Sequence, residues 1–218
     1  MEKVCAVVGV GPGLGLAVAE RFGREGFKGG MLARRMDALE GYERTLRERG
    51  VDATGLPVEA GQPDDVSRAL GDLRGRVGKI DVLVYNAAAM RKKPPSALTP
   101  EELVEDFRVS VAGALAAAHA VVPSMRAKGA GTILTTGGGL ALEPSPGFAS
   151  LAVGKAGLRS LSLSLAAELA PENVHVATVT ICGFIQPGTH FAPEVIAEKY
   201  WELHVEPRDR WTHELVYR

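Results

Sequence analysis

Near its N-terminus the sequence reads Val8-Gly9-Val10-Gly11-Pro12-Gly13-Leu14-Gly15, directly after an apolar run and directly before a helical pattern. Glycines in such a turn have separate tasks: one makes the turn, one lets the backbone approach a pyrophosphate, and one lets the helix pack close to the strand. The helix N-terminus then offers free N–H groups to the phosphates. We predict a dinucleotide site that includes Gly9, Gly11, Gly13, Leu14 and Gly15. The alternative is a tight strand-to-helix turn without a ligand.

Short apolar runs alternate with helical patterns along the 218 residues, which is typical of a parallel sheet with helices on both faces. We expect an α/β fold of the Rossmann type, with a doubly wound parallel sheet of about seven strands and a single NAD(P)-binding domain over residues 1–218. The predicted strands are Val4–Val8, Gly29–Ala33, Val51–Val58, Val82–Tyr85, Thr132–Thr136, Val174–Ile181 and Glu214–Tyr217. The predicted helices are Leu14–Glu25, Met36–Gly50, Pro63–Val77, Pro100–Lys128, Ala149–Ala170 and Pro193–Leu203.

The composition excludes several kinds of partner. The formal net charge is −1, so no basic field attracts nucleic acid or a membrane surface. No apolar run has the length of a membrane span or the pattern of a targeting segment. Cys5 and Cys182 suit a reducing cytoplasm better than a disulfide framework, although one pairing stays open. We predict a cytoplasmic protein with no nucleic-acid partner, no membrane partner and no metal site.

Two predicted helices carry unusually few polar residues. Val109–Val122 is apolar nearly all round, and Ser150–Leu169 has leucines at helical spacing. A helix without a polar face has to be covered on both sides, either deep in the core or at a subunit interface. Because a domain of this size has few places to bury such helices, we expect a homodimer or homotetramer formed through helices 100–128 and 149–170. His119 is then a core or interface histidine.

The second predicted strand ends in Leu32-Ala33-Arg34-Arg35. A site for NAD usually has an acidic residue here for the adenosine ribose hydroxyls, whereas an arginine accommodates the 2′-phosphate of NADP. Ala33 is neutral and Arg34 is cationic, so the sequence favours NADP, with NAD as the other possibility. Alternatively, the two arginines only solvate the start of a helix.

Several motifs together resemble the short-chain dehydrogenase/reductase family, and the resemblance extends over nearly the whole chain. The glycine-rich loop is similar to the family's TGxxxGxG, with Val8 in place of the Thr, and Val58-Glu59 is similar to the turn that contacts adenine. Asp81-Val82-Leu83-Val84-Tyr85-Asn86-Ala87-Ala88 is similar to DxLVNNAG, and Lys155 matches the Lys of YxxxK. The resemblance implies that Glu59, Asn86 and Lys155 contribute to cofactor binding.

The resemblance also implies hydride transfer between a nicotinamide and a carbonyl or alcohol carbon. In the family a Tyr moves the proton, a Ser holds the substrate oxygen, a Lys binds the nicotinamide ribose and an Asn anchors a relay water. Of these only Lys155 is present, because the corresponding positions are Leu151, Gly138 and Ser110. A positioned acid or base contributes about 10² to 10⁴ in rate, so efficient turnover requires a substitute. We predict a divergent subgroup that lacks the catalytic Tyr and Ser.

Other residues are candidates for the missing acid or for the substrate pocket. The acid candidates are Tyr85, Thr135, Thr136, Ser150 and His190, each with an alternative role in packing, in capping or in an exposed loop. The segment Phe184–Pro193 is short where the family commonly carries a long substrate lid. We expect Trp201 and Trp211 to be packing anchors, with pocket lining as the alternative.

Three functions remain open at this stage. The first is an atypical NADP(H)-dependent oxidoreductase that acts on an unknown small carbonyl or alcohol with a non-standard proton donor. The second is a pseudoenzyme or a nucleotide-binding partner subunit without redox turnover. The third is a non-redox isomerase, dehydratase or cyclase that uses the same cleft, for which the sequence supplies no acid–base pair at motif spacing.

Overall fold

The computed structural model describes residues 3–218, so the first two residues of the predicted 1–218 domain lie outside it. Seven strands form one sheet in the order β3-β2-β1-β4-β5-β6-β7, and every neighbouring pair is parallel. The strands are β1 Lys3–Val8, β2 Phe27–Ala33, β3 Ala53–Pro57, β4 Val82–Tyr85, β5 Gly131–Gly138, β6 Val174–Ile181 and β7 Glu214–Tyr217. The helices are α1 Leu14–Arg24, α2 Met36–Glu48, α3 Pro63–Val77, α4 Pro100–Phe107, α5 Gly113–Lys128, α6 Ala149–Leu169 and α7 Pro193–Val205.

Helices cover both faces of the sheet. Apolar residues of α3, α5 and α6 pack with one face in one buried cluster, and those of α1, α2 and α7 pack with the other face in a second cluster. The strand order reverses between β1 and β4, which leaves a crevice at the carboxyl ends of these strands. The predicted Rossmann-type, doubly wound architecture is confirmed, and most predicted element ends agree to within two residues.

The helix predicted over Pro100–Lys128 is confirmed, and it contains a π turn that the sequence did not predict. A π turn, Arg108–Ala112, separates α4 from α5. It faces the end of β4, where the Tyr85 hydroxyl donates to the carbonyl oxygen of Val109. Gly113 begins α5 so close to this strand that an added Cβ would lie 2.3 Å from the Tyr85 hydroxyl oxygen. The helix therefore widens into a π turn at the point where the buried Tyr85 hydroxyl donates a hydrogen bond to a helix carbonyl group.

The two apolar helices lie partly in the core and partly at the surface. Within residues 3–218, Pro100–Lys128 is the one stretch whose length and hydropathy would suit a membrane span, but half of its apolar window is buried inside the fold. We therefore assign it to the core of the α/β fold. His119 is exposed in the single chain, so the predicted core role is wrong, whereas the alternative interface role stays a prediction. The exposed apolar side chains of these helices are Val104, Phe107, Leu115 and Val153.

The cysteines and tryptophans have structural roles. Cys5 and Cys182 are both free, which closes the pairing that the sequence left open. Trp201 packs edge-on against Phe22 at 5.3 Å between ring centroids, and Trp211 stacks on His175 at 4.7 Å. Neither tryptophan lines the crevice beside the glycine-rich loop. The prediction that they anchor packing agrees with these contacts.

Candidate functional site

The glycine-rich loop has its shape because two of its glycines contact neighbouring backbone. Gly9 has φ +90°, and a Cβ there would lie 2.4 Å from the backbone nitrogen of Ala87. At Gly15 a Cβ would lie 2.9 Å from the carbonyl oxygen of Gly9. Both positions therefore require glycine for the fold itself.

The other two glycines face open space. A Cβ at Gly11 or Gly13 would meet no atom within 4 Å. Helix α1 begins directly after Gly13 with no side-chain cap and no acidic residue in its first turn. Its first N–H groups and its positive dipole end are therefore available to an anion.

A chain of hydrogen bonds holds the glycine-rich loop in position. Asn86 follows β4, and its Nδ2 donates to the carbonyl oxygen of Gly9 at 2.8 Å. Its Oδ1 accepts from Thr136 Oγ1 at 2.8 Å, and Thr136 Oγ1 lies 2.7 Å from the Tyr200 hydroxyl. Because the single Thr136 proton is given to Asn86, Tyr200 is the donor to Thr136. The chain Tyr200–Thr136–Asn86–Gly9 thus links α7 and β5 to the loop.

Lys155 extends from α6 into the same crevice. Its Nζ donates to the carbonyl oxygen of Thr136 at 2.6 Å, and only 8% of the residue is exposed. Burial lowers the pKa of Lys155 to about 8, because apolar surroundings disfavour the charged form. The ammonium group carries three N–H donors, and its other two have no hydrogen-bond partner among residues 3–218.

The carboxyl ends of β2 and β3 carry the residues predicted to contact the adenosine half of a dinucleotide. Arg34 is exposed and has no ion pair within the described part of the chain, whereas Arg35 lies 3.9 Å from Asp37. Glu59 is exposed directly after β3, and its backbone N–H donates to Asp65 at 2.7 Å. Of the two arginines, Arg34 is the one left available for a ligand.

Leu14 of α1, Asn86, Thr136 and Lys155 border one cleft of about 910 Å³. Arg34 and Glu59 are not among the residues that line it. Its inner end contains Asn86, Thr136 and Lys155, where the polar groups converge. The outer part is mainly apolar, with Met90, Leu142, Phe184 and Ile185 exposed, and it also includes the exposed charged residues Glu143 and Arg218. A cleft of this size with few convergent polar groups is typical of small-molecule and cofactor sites.

The sequence matches a known family over most of its length. The family model described as short chain dehydrogenase matches residues 3–198. The chain belongs to the short-chain dehydrogenase/reductase family. It is 31% identical over 176 residues to the human protein named dehydrogenase/reductase SDR family member 4; the match covers 80% of this chain and 63% of that relative. An uncharacterized oxidoreductase of Listeria monocytogenes is 30% identical, with 83% of this chain and 73% of that protein covered.

Solved structures of the family have the same fold. A short-chain dehydrogenase from Rhodopseudomonas palustris superimposes with a TM-score of 0.90 at 27% identity, covering 99% of this chain and 98% of that one. L-sorbose reductase from Gluconobacter frateurii, complexed with NADPH and L-sorbose, superimposes with a TM-score of 0.90 at 25% identity, covering 100% and 95%. The chain spans 63% of the length of the human relative.

Two of the positions that differ from the dehydrogenase/reductase pattern lie beside Lys155. Leu151 lies one helical turn before it and lines the cleft. Gly138 ends β5, and a Cβ there would contact the Lys155 side-chain carbons at 3.5 Å, an ordinary van der Waals distance. Neither residue brings a hydroxyl to this wall of the cleft.

The third differing position, Ser110, lies apart from the cleft. It is buried in the π turn, where its Oγ accepts from the backbone nitrogen of Ala89 at 3.4 Å. An added Cβ at Gly154 would lie 2.8 Å from Ser110 Cβ, so this residue packs tightly between α4, α5 and α6. In the structure Ser110 is a packing residue.

Most of the substitute acids suggested by the sequence do not reach the cleft. Tyr85 is 1% exposed and is a packing residue, and burial raises its pKa. Thr135 Oγ1 lies 2.8 Å from Ser162 Oγ, in the interior. Ser150 is buried, and His190 donates from Nε2 to the carbonyl oxygen of Arg218 at 2.8 Å outside the cleft. Thr136 does line the cleft, with its proton already given to Asn86.

Sequence reasoning missed the role of Tyr200. Ile196, Tyr200 and Leu203 repeat at helical spacing in α7, and this pattern could have predicted a buried tyrosine. It could not have identified Thr136 as the partner, because the two residues are 64 positions apart. Cys182, Glu143 and Arg218 were likewise not predicted to line the cleft.

Proposed function

We propose that this protein binds NADP(H) in the cleft and catalyses hydride transfer between the dinucleotide and the carbonyl or alcohol carbon of a small substrate. One arrangement carries the proposal. An uncapped helix N-terminus with open space at Gly11 and Gly13 lies at one end of the cleft, and a buried lysine with two unused N–H donors lies at the other. Such an arrangement suits a pyrophosphate at one end and sugar hydroxyls at the other.

The residues present fit each part of the dinucleotide. The first turn of α1 would hold the pyrophosphate, Asn86 would keep the loop in place, and Lys155 would hydrogen-bond the nicotinamide ribose. Arg34 would pair with the 2′-phosphate, and Glu59 would lie near the adenine. When bound, the nicotinamide supplies or accepts the hydride.

The outer half of the cleft supports a substrate with an apolar body. Met90 and Phe184 are 74% and 84% exposed beside it, and Leu142 and Ile185 extend this apolar surface, next to the charged residues Glu143 and Arg218. Such a surface favours alkyl or aryl carbonyl compounds over heavily hydroxylated sugars, because hydroxyl groups would lose water without gaining partners. We therefore propose an apolar aldehyde, an apolar ketone or the corresponding alcohol as substrate.

Calorimetric titration with NADPH and NADH tests the cofactor assignment. We expect tighter binding of NADPH, and a loss of about 10- to 100-fold in NADPH affinity in Arg34→Ala, since hydrogen bonds to charged groups contribute about 1.5–3 kcal/mol. Arg35→Ala is the matched control, because Arg35 lies near Asp37. No measurable affinity of the wild-type protein for either dinucleotide would refute the proposal.

A nucleotide-binding protein without redox turnover, as a pseudoenzyme or partner subunit, is the second candidate. The observation that favours it is the absence of a hydroxyl at Gly138 and Leu151, beside Lys155. It predicts NADPH binding with no NADPH oxidation across aliphatic, aromatic and dicarbonyl substrates. The non-redox alternative has less support, because among residues 3–218 no two titratable side chains that line the cleft form a hydrogen bond or ion pair with each other.

We further propose a single cytoplasmic domain that assembles as a homodimer or homotetramer. The apolar side chains on α4, α5 and α6 support this, because Val104 and Val153 are 52% and 44% exposed in one chain. Light scattering on the purified protein measures the mass of the assembly.

A further inference from the structure

Among residues 3–218, the titratable side chains that line the cleft are Glu143, Lys155, Cys182 and Arg218. Glu143 is exposed to solvent, whereas Lys155 is buried at the inner end of the cleft. A guanidinium keeps its proton, which excludes Arg218. The Cys182 thiol points back to its own strand, with Sγ 3.8 Å from the carbonyl oxygen of Thr180. Lys155 is the remaining proton source in the cleft.

The surroundings of Lys155 leave its ammonium group open to a substrate oxygen. Gly138 beside its stem has no side chain, and Leu151 on the preceding turn has no polar side-chain atom. One of its N–H groups is held by the Thr136 carbonyl, which fixes the position of Nζ at 2.6 Å from that oxygen. Two N–H groups remain, enough for one ribose hydroxyl and one substrate oxygen.

The charges around Lys155 are few. Glu143 and Arg218 lie in the cleft wall, and Asp106 on the neighbouring helix α4 is paired with Arg91 at 2.9 Å. Burial is therefore the cause of the shift in the pKa of Lys155, which it lowers to about 8. A general acid works best when its pKa lies near the working pH, so this value suits proton transfer at neutral to mildly alkaline pH.

We propose that Lys155 is itself the catalytic acid and base, giving a proton to the substrate oxygen during reduction and taking it back during oxidation. The inference rests on the function proposed above. In the reductive direction the carbonyl π bond opens, the carbon receives the hydride supplied by NADPH, and the oxygen takes a proton from Nζ as that N–H bond breaks. The ammonium becomes a neutral amine, which water reprotonates, and the products are the alcohol and NADP⁺.

Kinetics of Lys155→Arg with 4-nitrobenzaldehyde as the probe test the role. Arginine keeps a cation and N–H donors for the ribose, so we expect NADPH affinity within about threefold of wild type, measured by calorimetry. Because a guanidinium does not release its proton, kcat should fall by about 10² to 10⁴. In wild type, kcat for reduction should fall tenfold per pH unit above about pH 8. In Lys155→Arg it should be independent of pH in that range.

A smaller variant keeps the proposal testable if arginine does not fit. Lys155→Ala removes the amine, and added ethylammonium should restore turnover in proportion to its concentration, whereas tetramethylammonium, which has no N–H, should not. A purely structural or ribose-binding role would give no such selective rescue. Equal turnover in Lys155→Arg and wild type, or absence of rescue in a folded Lys155→Ala, would overturn the proposal.

A measurement on the protein without nucleotide provides a readout apart from activity. In ¹³Cε-lysine NMR, the resonance that disappears in Lys155→Arg should titrate near pH 8, below the usual lysine value of about 10.4. A Lys155 midpoint near 10.4 would overturn the proposal. The experiments distinguish failure of the proposed function from failure of the role proposed for Lys155. Absence of NADPH binding refutes the proposed function, whereas NADPH-dependent turnover that survives in Lys155→Arg refutes only the role of Lys155 as the acid.

Discussion

Replacing Thr136 with valine should disrupt the hydrogen-bond chain that fixes the glycine-rich loop. The substitution exchanges a hydroxyl for a methyl group of similar size, in a residue that is 6% exposed. It removes the acceptor of the Tyr200 hydroxyl and the donor to Asn86 Oδ1. Tyr200 is fully buried, so its hydroxyl cannot turn to water instead.

The expected magnitude follows from which groups are left without partners. A buried hydroxyl without a partner costs about 1–3 kcal/mol, and the partly exposed Asn86 loses about 0.5–1 kcal/mol more. Thr136→Val should therefore lower the free energy of unfolding by about 1.5–4 kcal/mol. Tyr200→Phe should lower it by only about 0.5–1.5 kcal/mol, because Thr136 keeps its bond to Asn86. The double variant leaves no buried hydroxyl unpaired and should lose only about 1–2 kcal/mol.

The free energies of unfolding of wild type, the two single variants and the double variant form a double-mutant cycle, which urea unfolding measures by circular dichroism and tryptophan fluorescence. Thr54→Val on β3 is the matched control, and its free energy of unfolding should lie within about 0.5 kcal/mol of that of wild type. The double variant should be more stable than Thr136→Val alone. Strictly additive losses would mean that Tyr200 and Thr136 do not interact, and the chain of bonds would be refuted.

Two further predictions separate fold from function. Gly9→Ala should abolish folding or destabilise the protein by more than about 3 kcal/mol, because the added Cβ strains the backbone and clashes with Ala87. Gly11→Ala should fold normally and bind NADPH at least tenfold more weakly. Thermal unfolding measures the stability of both variants, and calorimetry measures their affinity for NADPH. Leu151→Tyr with Gly138→Ser should raise NADPH-dependent reduction of 4-nitrobenzaldehyde above the wild-type rate, because a phenol beside Lys155 adds a second proton donor. Leu151→Phe with Gly138→Ser is the control without the phenol, and equal rates in the two would contradict the prediction.

The strand and helix pattern was predictable because it depends on local periodicity and on glycines with backbone tasks. The loop Gly9–Gly15 was identified from its glycine spacing and its place between a strand and a helix, and the structure supplies the reason for two of its glycines in contacts shorter than 3 Å. The π turn between α4 and α5 was not predictable, because it lies where the Tyr85 hydroxyl donates to Val109, 24 positions along the chain. Periodicity does not encode a contact of that kind.

The inner end of the cleft was only partly predictable for the same reason. Lys155, Gly138 and Leu151 were identified by their positions in a motif, and the structure brings all three to one wall. Ser110 was identified in the same way, yet it packs against Gly154 instead of facing the cleft. Motif spacing identifies the position of a residue along a helix. Tertiary packing determines whether its side chain faces the cleft or the interior.

The residues that this cleft requires for folding differ from those that it requires for catalysis. The loop requires glycine at Gly9 because of its positive φ and its contact with Ala87, so its geometry is fixed by the folding of the sheet. Leu151 and Gly138 satisfy packing without contributing a hydroxyl, since the first is an apolar helix residue and the second has room for a Cβ. The presence of the fold therefore carries no information about turnover. That question depends on whether Lys155 can release a proton at the substrate oxygen.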